Sequence, residues 1–341
     1  MSNILPVFIP FAGCKSRCVY CDQNIITGKS INSIIDDVKK QIDYYLSINT
    51  QWDEISFYGG SFTCLDYKVR EELYKISHNN FSKIRFSTRP DCLSFDMLDE
   101  FYENGVKTVE LGIQSLSSNV LLKNNRPYDH KIAENAITLF SESDIEVIAQ
   151  IMVGMFKENR DDFIHTVDEL VKYPIRGVRI YPTVVLQGSP LYKLYKTKEF
   201  VPLTFEETLL RSAYAYIRFV SDNKKVLRVG LQYSESFYKN ITAGYYHPAF
   251  GDIVKTFIIL IYFNFFGNIK IKKKDFSKIT GHKGIVKKIF YDNIIIDDNS
   301  SDFNFENICK KVESRLSEDY WWKFKREIAW LFEGQRGKAF N

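Results

Sequence analysis

Long apolar runs are missing from this chain of 341 residues: the longest, residues 257–266, is broken by Asn264 and ends at Gly267. A membrane-spanning helix needs roughly 18 apolar residues, so the run reads as a buried strand or helix and no membrane partner is expected. The opening residues, MSNILPVFIPF, lack the basic stretch and small-residue cleavage site of a secretory signal, so nothing argues for export. Internal repeats at solenoid periods and low-complexity linkers are absent too. Cysteine is sparse, six residues in all. That excludes a disulfide framework for a chain of this kind, and several free thiols fit a reducing cytoplasm.

Three of those six stand together. Cys14, Cys18 and Cys21 lie in FAGCKSRCVYCDQN, directly after an apolar segment that reads as a strand. Three thiolates can hold three irons of a four-iron, four-sulfur cluster and leave the fourth iron open, whereas purely electron-carrying clusters are normally held by four cysteines. A structural zinc site also uses closely spaced thiolates but needs four protein ligands, and no His or fourth Cys lies near. Cys64, Cys92 and Cys309 are scattered, two of them near other strand ends, where a buried structural cysteine is unremarkable.

Short β-rich segments alternate with longer amphipathic ones. Strands are expected over residues 5–11, 54–58, 83–86, 108–113, 147–153 and 177–181, with helices over 31–46, 95–104, 131–140 and 161–173. Six βα units in succession argue for parallel strands joined by right-handed crossovers. Each strand is followed by a polar or glycine-containing cluster: the cysteines, then Gly59-Gly60-Ser61, Ser87-Thr88-Arg89-Pro90-Asp91, Gln114-Ser115, Gly154 and Tyr181-Pro182. Parallel α/β barrels and doubly wound sheets both place their sites at that end. A further helix over 204–219 and strand over 226–231 follow, and GYYHPAFG at 244–251 reads as a boundary or a packed turn.

The net charge of +4 is uneven, because residues 255–341 hold 17 Lys and Arg against 11 Asp and Glu. Two parts meeting different partners are expected, over 1–253 and 254–341.

The pattern Cys-x3-Cys-x-aromatic-Cys, with Tyr20 as the aromatic, resembles the cluster loop of radical S-adenosylmethionine (SAM) enzymes. That resemblance implies a partial six-unit parallel barrel. It further implies an iron chelated by the amino and carboxylate groups of SAM, a one-electron donor of the flavodoxin or ferredoxin type, and a 5'-deoxyadenosyl radical. Longer phrases, SFYGGSFT, FSTRPD, TVELGIQSL, QIMVGM, VRIYPTVVLQGSPLY, VGLQ and HPAFG, are similar to the radical SAM domain of the Elongator catalytic subunit family from about residue 4 to residue 254. In that family the radical serves tRNA wobble-uridine modification, and a following acetyltransferase domain supplies the acyl group. The length after residue 254 is too short for that domain, and no glycine-rich loop is found for acetyl-CoA, so the carboxymethyl chemistry is not expected to transfer.

Carried over by resemblance, Gly59 and Gly60 contact the SAM amino group through their backbone; a tight strand-to-helix turn would need the same residues. Ser61 stands where the family often has Glu. In LGIQSLSSNVLLKNNRP, the next set is Gln114, Ser115 and Arg126, with Gln114 as a SAM contact and Arg126 as partner of its carboxylate. The bland reading of these three is solvated polar residues on a loop and a first helical turn. Ser87 and Gln150 occupy places where related tetrapyrrole-processing enzymes carry acidic residues that bind ribose and adenosine. Glu110, inside the fourth strand, faces either this site or a helix outside.

Past residue 254 the chain is basic and β-rich, a small α/β extension with eight Lys and one Asp between Gly267 and Phe290. Lys270, Lys272, Lys273, Lys274, Lys283, Lys287 and Lys288 are candidate phosphate contacts. Ile279-Thr280-Gly281-His282-Lys283-Gly284 resembles the GxxG loop of KH RNA-binding modules, flanked by strand-like 268–272 and 293–296; a plain turn among solvated lysines is the alternative. Residues 319–332, with three Trp, read as an amphipathic helix docked on the barrel. The expected function is radical SAM chemistry on RNA, tRNA in the first instance. Alternatives are a small-molecule substrate such as a tetrapyrrole, a non-catalytic cluster-bearing haem or RNA carrier, and a zinc-dependent RNA-binding module.

Overall fold

The computed structural model describes residues 3–9, 14, 16–22, 31–49, 51–232, 234–316, 321 and 339–340. Strand and helix alternate as β1 (Ile4–Phe8), α1 (Ile31–Ile48), β2 (Glu54–Tyr58), α2 (Tyr67–His78), β3 (Ile84–Thr88), α3 (Met97–Glu103) and β4 (Val106–Gln114). The short α4 (Ser118–Lys123) and α5 (His130–Thr138) lead to β5 (Glu146–Val153), α6 (Arg160–Lys172) and β6 (Gly177–Pro182). After β7 (Val184–Leu186), α7 (Pro190–Lys196) and α8 (Phe205–Ser221) comes β8 (Lys225–Val229). The sheet order is β1-β2-β3-β4-β5-β6-β8, all parallel, and the sheet curls into a half-barrel. Seven strands stand where six units were expected, because the segment read as a further strand joins the same sheet.

Side chains alternate between two faces along each strand, and in the central strands β2 to β6 most of both faces is buried. Leu5, Val7, Ile55, Phe57, Ile84, Phe86, Val109, Leu111, Ala149, Ile151, Val178 and Ile180 are fully buried in one core against the helices. Phe62 stacks between Phe57 and Phe86, with centroids 5.3 and 4.6 Å away. The concave face carries Glu54, Arg85, Thr108, Glu110, Gln150 and Arg179 instead, tied to one another by hydrogen bonds. Helix starts are fixed locally: Asn159 and Asp162 form a capping box on α6, and Asp66, Asp129 and Thr204 cap α2, α5 and α8. β1 is an edge strand, and the Gln41 amide occupies its free backbone groups, accepting from Phe8 N–H at 2.8 Å and donating to Phe8 carbonyl at 3.0 Å.

The remainder is α9 (Glu235–Lys239), β9 (Ile241–Tyr245), α10 (Phe250–Phe266), β10 (Ile269–Ile271), α11 (Phe276–Ile279), α12 (Ile285–Phe290), β11 (Ile294–Ile296), α13 (Phe305–Glu313) and β12 (Ala339–Phe340). The long apolar run is therefore a helix, and the expected division at 253/254 falls inside it. α10 builds a second core with α8, α12, α13 and Trp321. β7, β9 and β12 form a small antiparallel sheet that alternation did not expose, being strands of two to five residues. β10 and β11 pair in parallel, Ile269 with Ile294. The glycine loop before α12 is flanked directly by helices, with the strand-like segments one step further out. Of the expected helix over 319–332, only Trp321 lies within the described residues.

Cys64 and Cys92, just beyond β2 and β3, are joined in a disulfide with Cα atoms 5.1 Å apart. This corrects the expectation of scattered free thiols: adjacent parallel strands deliver the two turns to the same place. Cys309 is free and buried. Among the described residues no helix is long and apolar enough to cross a membrane.

Candidate cluster and cofactor site

The cysteine loop is anchored from several sides. Val19 N–H donates to Asn124 carbonyl (3.2 Å), Leu191 N–H to Val19 carbonyl (2.7 Å), and Cys21 N–H to Cys18 carbonyl (3.1 Å). Ser16 donates to Asn125 carbonyl at 3.1 Å and accepts from Arg89 Nη1 at 2.6 Å. Cys18 is buried, and Cys14 and Cys21 are half-buried.

Two guanidiniums face these thiols. Arg89 forks onto Asp91 at 2.8 and 2.7 Å while holding Ser16. Arg126, buried, lies 3.6 Å from Cys18 Sγ, donates to Tyr20 hydroxyl at 3.1 Å and Tyr128 hydroxyl at 2.8 Å, and caps Gly112 carbonyl. Burial pushes the Cys14 thiol up, with Cys18 adding to the rise, and Arg89 and Arg126 pull against it. Cys21 is driven up by burial and then by Cys18 and Cys14, with Arg126 opposing. Cys14 and Cys21 therefore favour the protonated thiol in the protein alone, and metal binding would release those protons. Among the described residues no three side chains converge as a ready-made metal site. The donor set still fits a cluster in kind and number: three neighbouring thiols, with two cations to offset an anionic iron–sulfur group.

The glycine turn follows β2. Gly59 has φ +91°, a conformation favouring glycine, and a Cβ there would strike the Phe8 ring. Ser61, at the place where Glu was noted as usual, is a buried hub: its hydroxyl is 3.0 Å from Thr88 Oγ1, accepts from Arg89 N–H at 3.0 Å and lies 3.0 Å from Cys64 Sγ. It ties the turns after β2 and β3 together.

Gln114 ends β4 at φ +69°, beside a register irregularity between Gly112 and Gln114. Its side-chain Oε1 is buried and has no hydrogen-bond partner among the described residues. Such an orphan fits a site completed by a ligand's donor. Ser115 goes elsewhere, 3.2 Å from Thr166 Oγ1 and accepting from Ser117 N–H at 3.1 Å.

Deeper in the half-barrel, Gln150 Nε2 donates to Glu110 at 2.9 Å and Ser87 at 3.3 Å. Glu110 points inward and never reaches a helix. Arg179 forks onto it at 2.8 and 2.9 Å, Arg85 adds 3.2 Å, and Tyr58 hydroxyl donates at 3.1 Å. Burial alone would raise its pKa, but Arg179, Gln150 and Arg85 outweigh that and hold the carboxyl below its ordinary range. Tyr58 is pushed up to about 12 by burial and by Glu110.

The structure thus gathers Cys14, Cys18, Cys21, Tyr20, Gly59, Gly60, Gln114 and Arg126 around the end of β1, β2 and β4, with Ser87 and Gln150 one layer below. Sequence reasoning missed Arg89, Tyr128, Arg85 and Arg179 as members of this site. Arg89 carried a signal, the polar cluster after the third strand, whereas the inward side of an isolated strand cannot be read for Arg85 and Arg179.

Residues 8–170 match the model of the radical SAM superfamily and residues 175–258 that of the radical SAM C-terminal domain. The chain belongs to the radical SAM superfamily of enzymes. Within it the chain is similar to an uncharacterized protein of Methanocaldococcus jannaschii, 28% identical over 57% of this chain and 60% of that one. It is also similar to Elongator complex protein 3 of Schizosaccharomyces pombe, 27% identical over 41% of this chain and 28% of that one. The tRNA uridine(34) acetyltransferase of Methanocaldococcus infernus is 30% identical over 43% of this chain and 29% of its own length. The chain spans 60% or less of the length of the first curated relatives it matches. A solved archaeal Elp3 from M. infernus with an N-terminal deletion shares the fold at a TM-score of 0.57, with 19% identity over 75% of this chain and 62% of that one.

Proposed function

We propose that this chain is a cytoplasmic radical SAM enzyme whose cluster is held by Cys14, Cys18 and Cys21 and whose substrate is RNA, tRNA in the first instance. When bound, a reduced four-iron cluster supplies the electron that cleaves SAM to methionine and a 5'-deoxyadenosyl radical, which removes a hydrogen atom from the substrate. The reading is supported by three neighbouring thiols of one loop, two buried guanidiniums facing them and the buried Gln114 acceptor at the same end of the parallel strands.

The protein's own share is positioning and charge. Arg126, fixed by Tyr20 and Tyr128, offers its cation to the cluster anion and the SAM carboxylate. Gly59 and Gly60 let the amino group approach the backbone. Because Gln150 spends its N–H on Glu110 and Ser87, its carbonyl remains an acceptor, and the Ser87 proton remains a donor, for ribose hydroxyls. Glu110, kept ionised by Arg179, holds Gln150 in that orientation.

In the basic extension, Lys270, Lys273, Lys283, Lys287 and Lys288 are exposed and supply the RNA contacts, while Lys272 and Lys274 are drawn onto Asp302. An external one-electron donor of the flavodoxin or ferredoxin type completes the system.

Anaerobically reconstituted protein given dithionite and SAM is expected to release 5'-deoxyadenosine, and Cys18→Ala to release none. Absence of product under conditions that activate a control enzyme removes the reading. A cluster EPR signal unmoved by SAM would point to a carrier, and a retained pigment to a tetrapyrrole substrate.

A further inference from the structure

We infer that Arg228 is where this enzyme grips an anionic group of its substrate, a phosphate of the polynucleotide in the reading above, on which the inference rests. The half-barrel does not close: β1 and β8 are its two edges, and the concave face opens between them. Gly112, Gln150, Arg179 and Arg228 form one register row across β4, β5, β6 and β8. Side chains in register on neighbouring parallel strands point to the same face. Arg179 points to the concave face, since it reaches Glu110 and Tyr58, and Arg228, its partner just past a register shift between Val178 and Arg179, lies on the same side beside Tyr181. Tyr181 lies beside both: burial raises its pKa, and Arg179 and Arg228 counter that rise.

Charge on this face does not balance. Arg85 is held by Glu54 at 2.9 Å and Glu110 at 3.2 Å, and Arg179 takes the rest of Glu110 at 2.8 Å. Arg228, half-buried, has no carboxylate partner among the described residues. A guanidinium partly stripped of water and lacking a counter-ion gains most from an incoming anion, which its planar fork takes in two hydrogen bonds. The SAM contacts assigned above come from β1 to β5 and their loops, on the far side of Arg179, which leaves the β8 edge to the substrate.

The test is the salt dependence with which cluster-loaded protein plus SAM binds a synthetic anticodon stem-loop. Each phosphate neutralised contributes about 0.7 to 0.9 to the slope of log affinity against log salt. Arg228→Gln is expected to reduce the slope by about that amount and weaken binding about tenfold, while Arg228→Lys keeps the slope. An unchanged slope in Arg228→Gln, or the same loss in both variants, overturns the inference. Inorganic pyrophosphate that raises the melting temperature of wild type but not of Arg228→Gln supports the anion site independently of RNA. Wild-type protein that binds neither probe overturns it, and deoxyadenosine release by that preparation shows that the radical reading stands regardless.

Discussion

At the scale of single residues, the site is marked by backbone as much as by side chains. Gln114 holds φ +69° without being glycine, at a cost of about 1 to 2 kcal/mol that the protein would shed if only stability mattered. Gln114→Gly is therefore expected to leave unfolding free energy level or raise it by up to about 1 kcal/mol in denaturant titrations, after the extra freedom of glycine in the unfolded chain is deducted. SAM affinity, read by calorimetry on the loaded protein, should fall at the same time. A parallel fall in stability would show that Gln114 serves packing alone. Gly59 predicts the reverse case: Gly59→Ala combines φ +91° with a clash against Phe8, and a loss of about 1 to 3 kcal/mol in the same titration is expected. The three clustered cysteines could be proposed as ligands from their spacing alone, whereas the two glycines, Gln114 and Arg126 could be proposed for SAM only through the family resemblance. What Ser61 does was not legible, since its partners Thr88 and Arg89 come from the next strand.

Elements were readable wherever a long amphipathic period or a strict alternation was present, as in α1, α6, α8 and the strands β2 to β6. The short pieces β7, β9 and β12 escaped because so few residues carry no period, and their pairing depends on distant segments. One internal fastening appears only in three dimensions: the β5–α6 junction closes over Glu158, whose Oε2 accepts from Gly154 N–H at 2.7 Å and lies 3.4 Å from Arg211. Burial, only partly offset by Arg211, pushes this carboxyl up to about 8 from an ordinary 4.5. Below about pH 4.5 folded and unfolded chains both carry the proton and the contribution to stability is complete. As pH rises towards 8 the unfolded chain releases its proton first, so the contribution drains away by up to about 1.4 kcal/mol per pH unit and is spent above 8. Glu158→Gln, close in shape and without a charge, is expected to flatten that descent in urea titrations from pH 5 to 8. Parallel curves for the two proteins would mean that Glu158 is ionised throughout.

For the whole molecule, the charge asymmetry and the extent of the family resemblance suggested two parts divided at 253/254, and in the described residues one helix, Phe250–Phe266, runs across that point. α8 turns Ala215 and Phe219 into the barrel core and Leu209, Ala213 and Ile217 into the core made with α10 and α13. α10 contributes Val254, Phe257, Ile258 and Ile261 to that second core and carries the chain across the seam. No charge pattern could reveal this, because the apolar face of a helix says what must be covered and not by which segment. The physical consequence is mechanical coupling: loosening α13 uncovers one side of α8, whose other side supports β5 and β6. Ile308→Ala, in a buried position of α13, is expected to cost about 2 to 4 kcal/mol. That loss should appear equally in hydrogen exchange of the barrel strands and of α10, with heat melting the protein in one transition. If exchange accelerated only beyond residue 254 and the barrel kept its own midpoint, the extension would be an appended domain, and the basic surface on it would be free to move relative to the site it is proposed to serve.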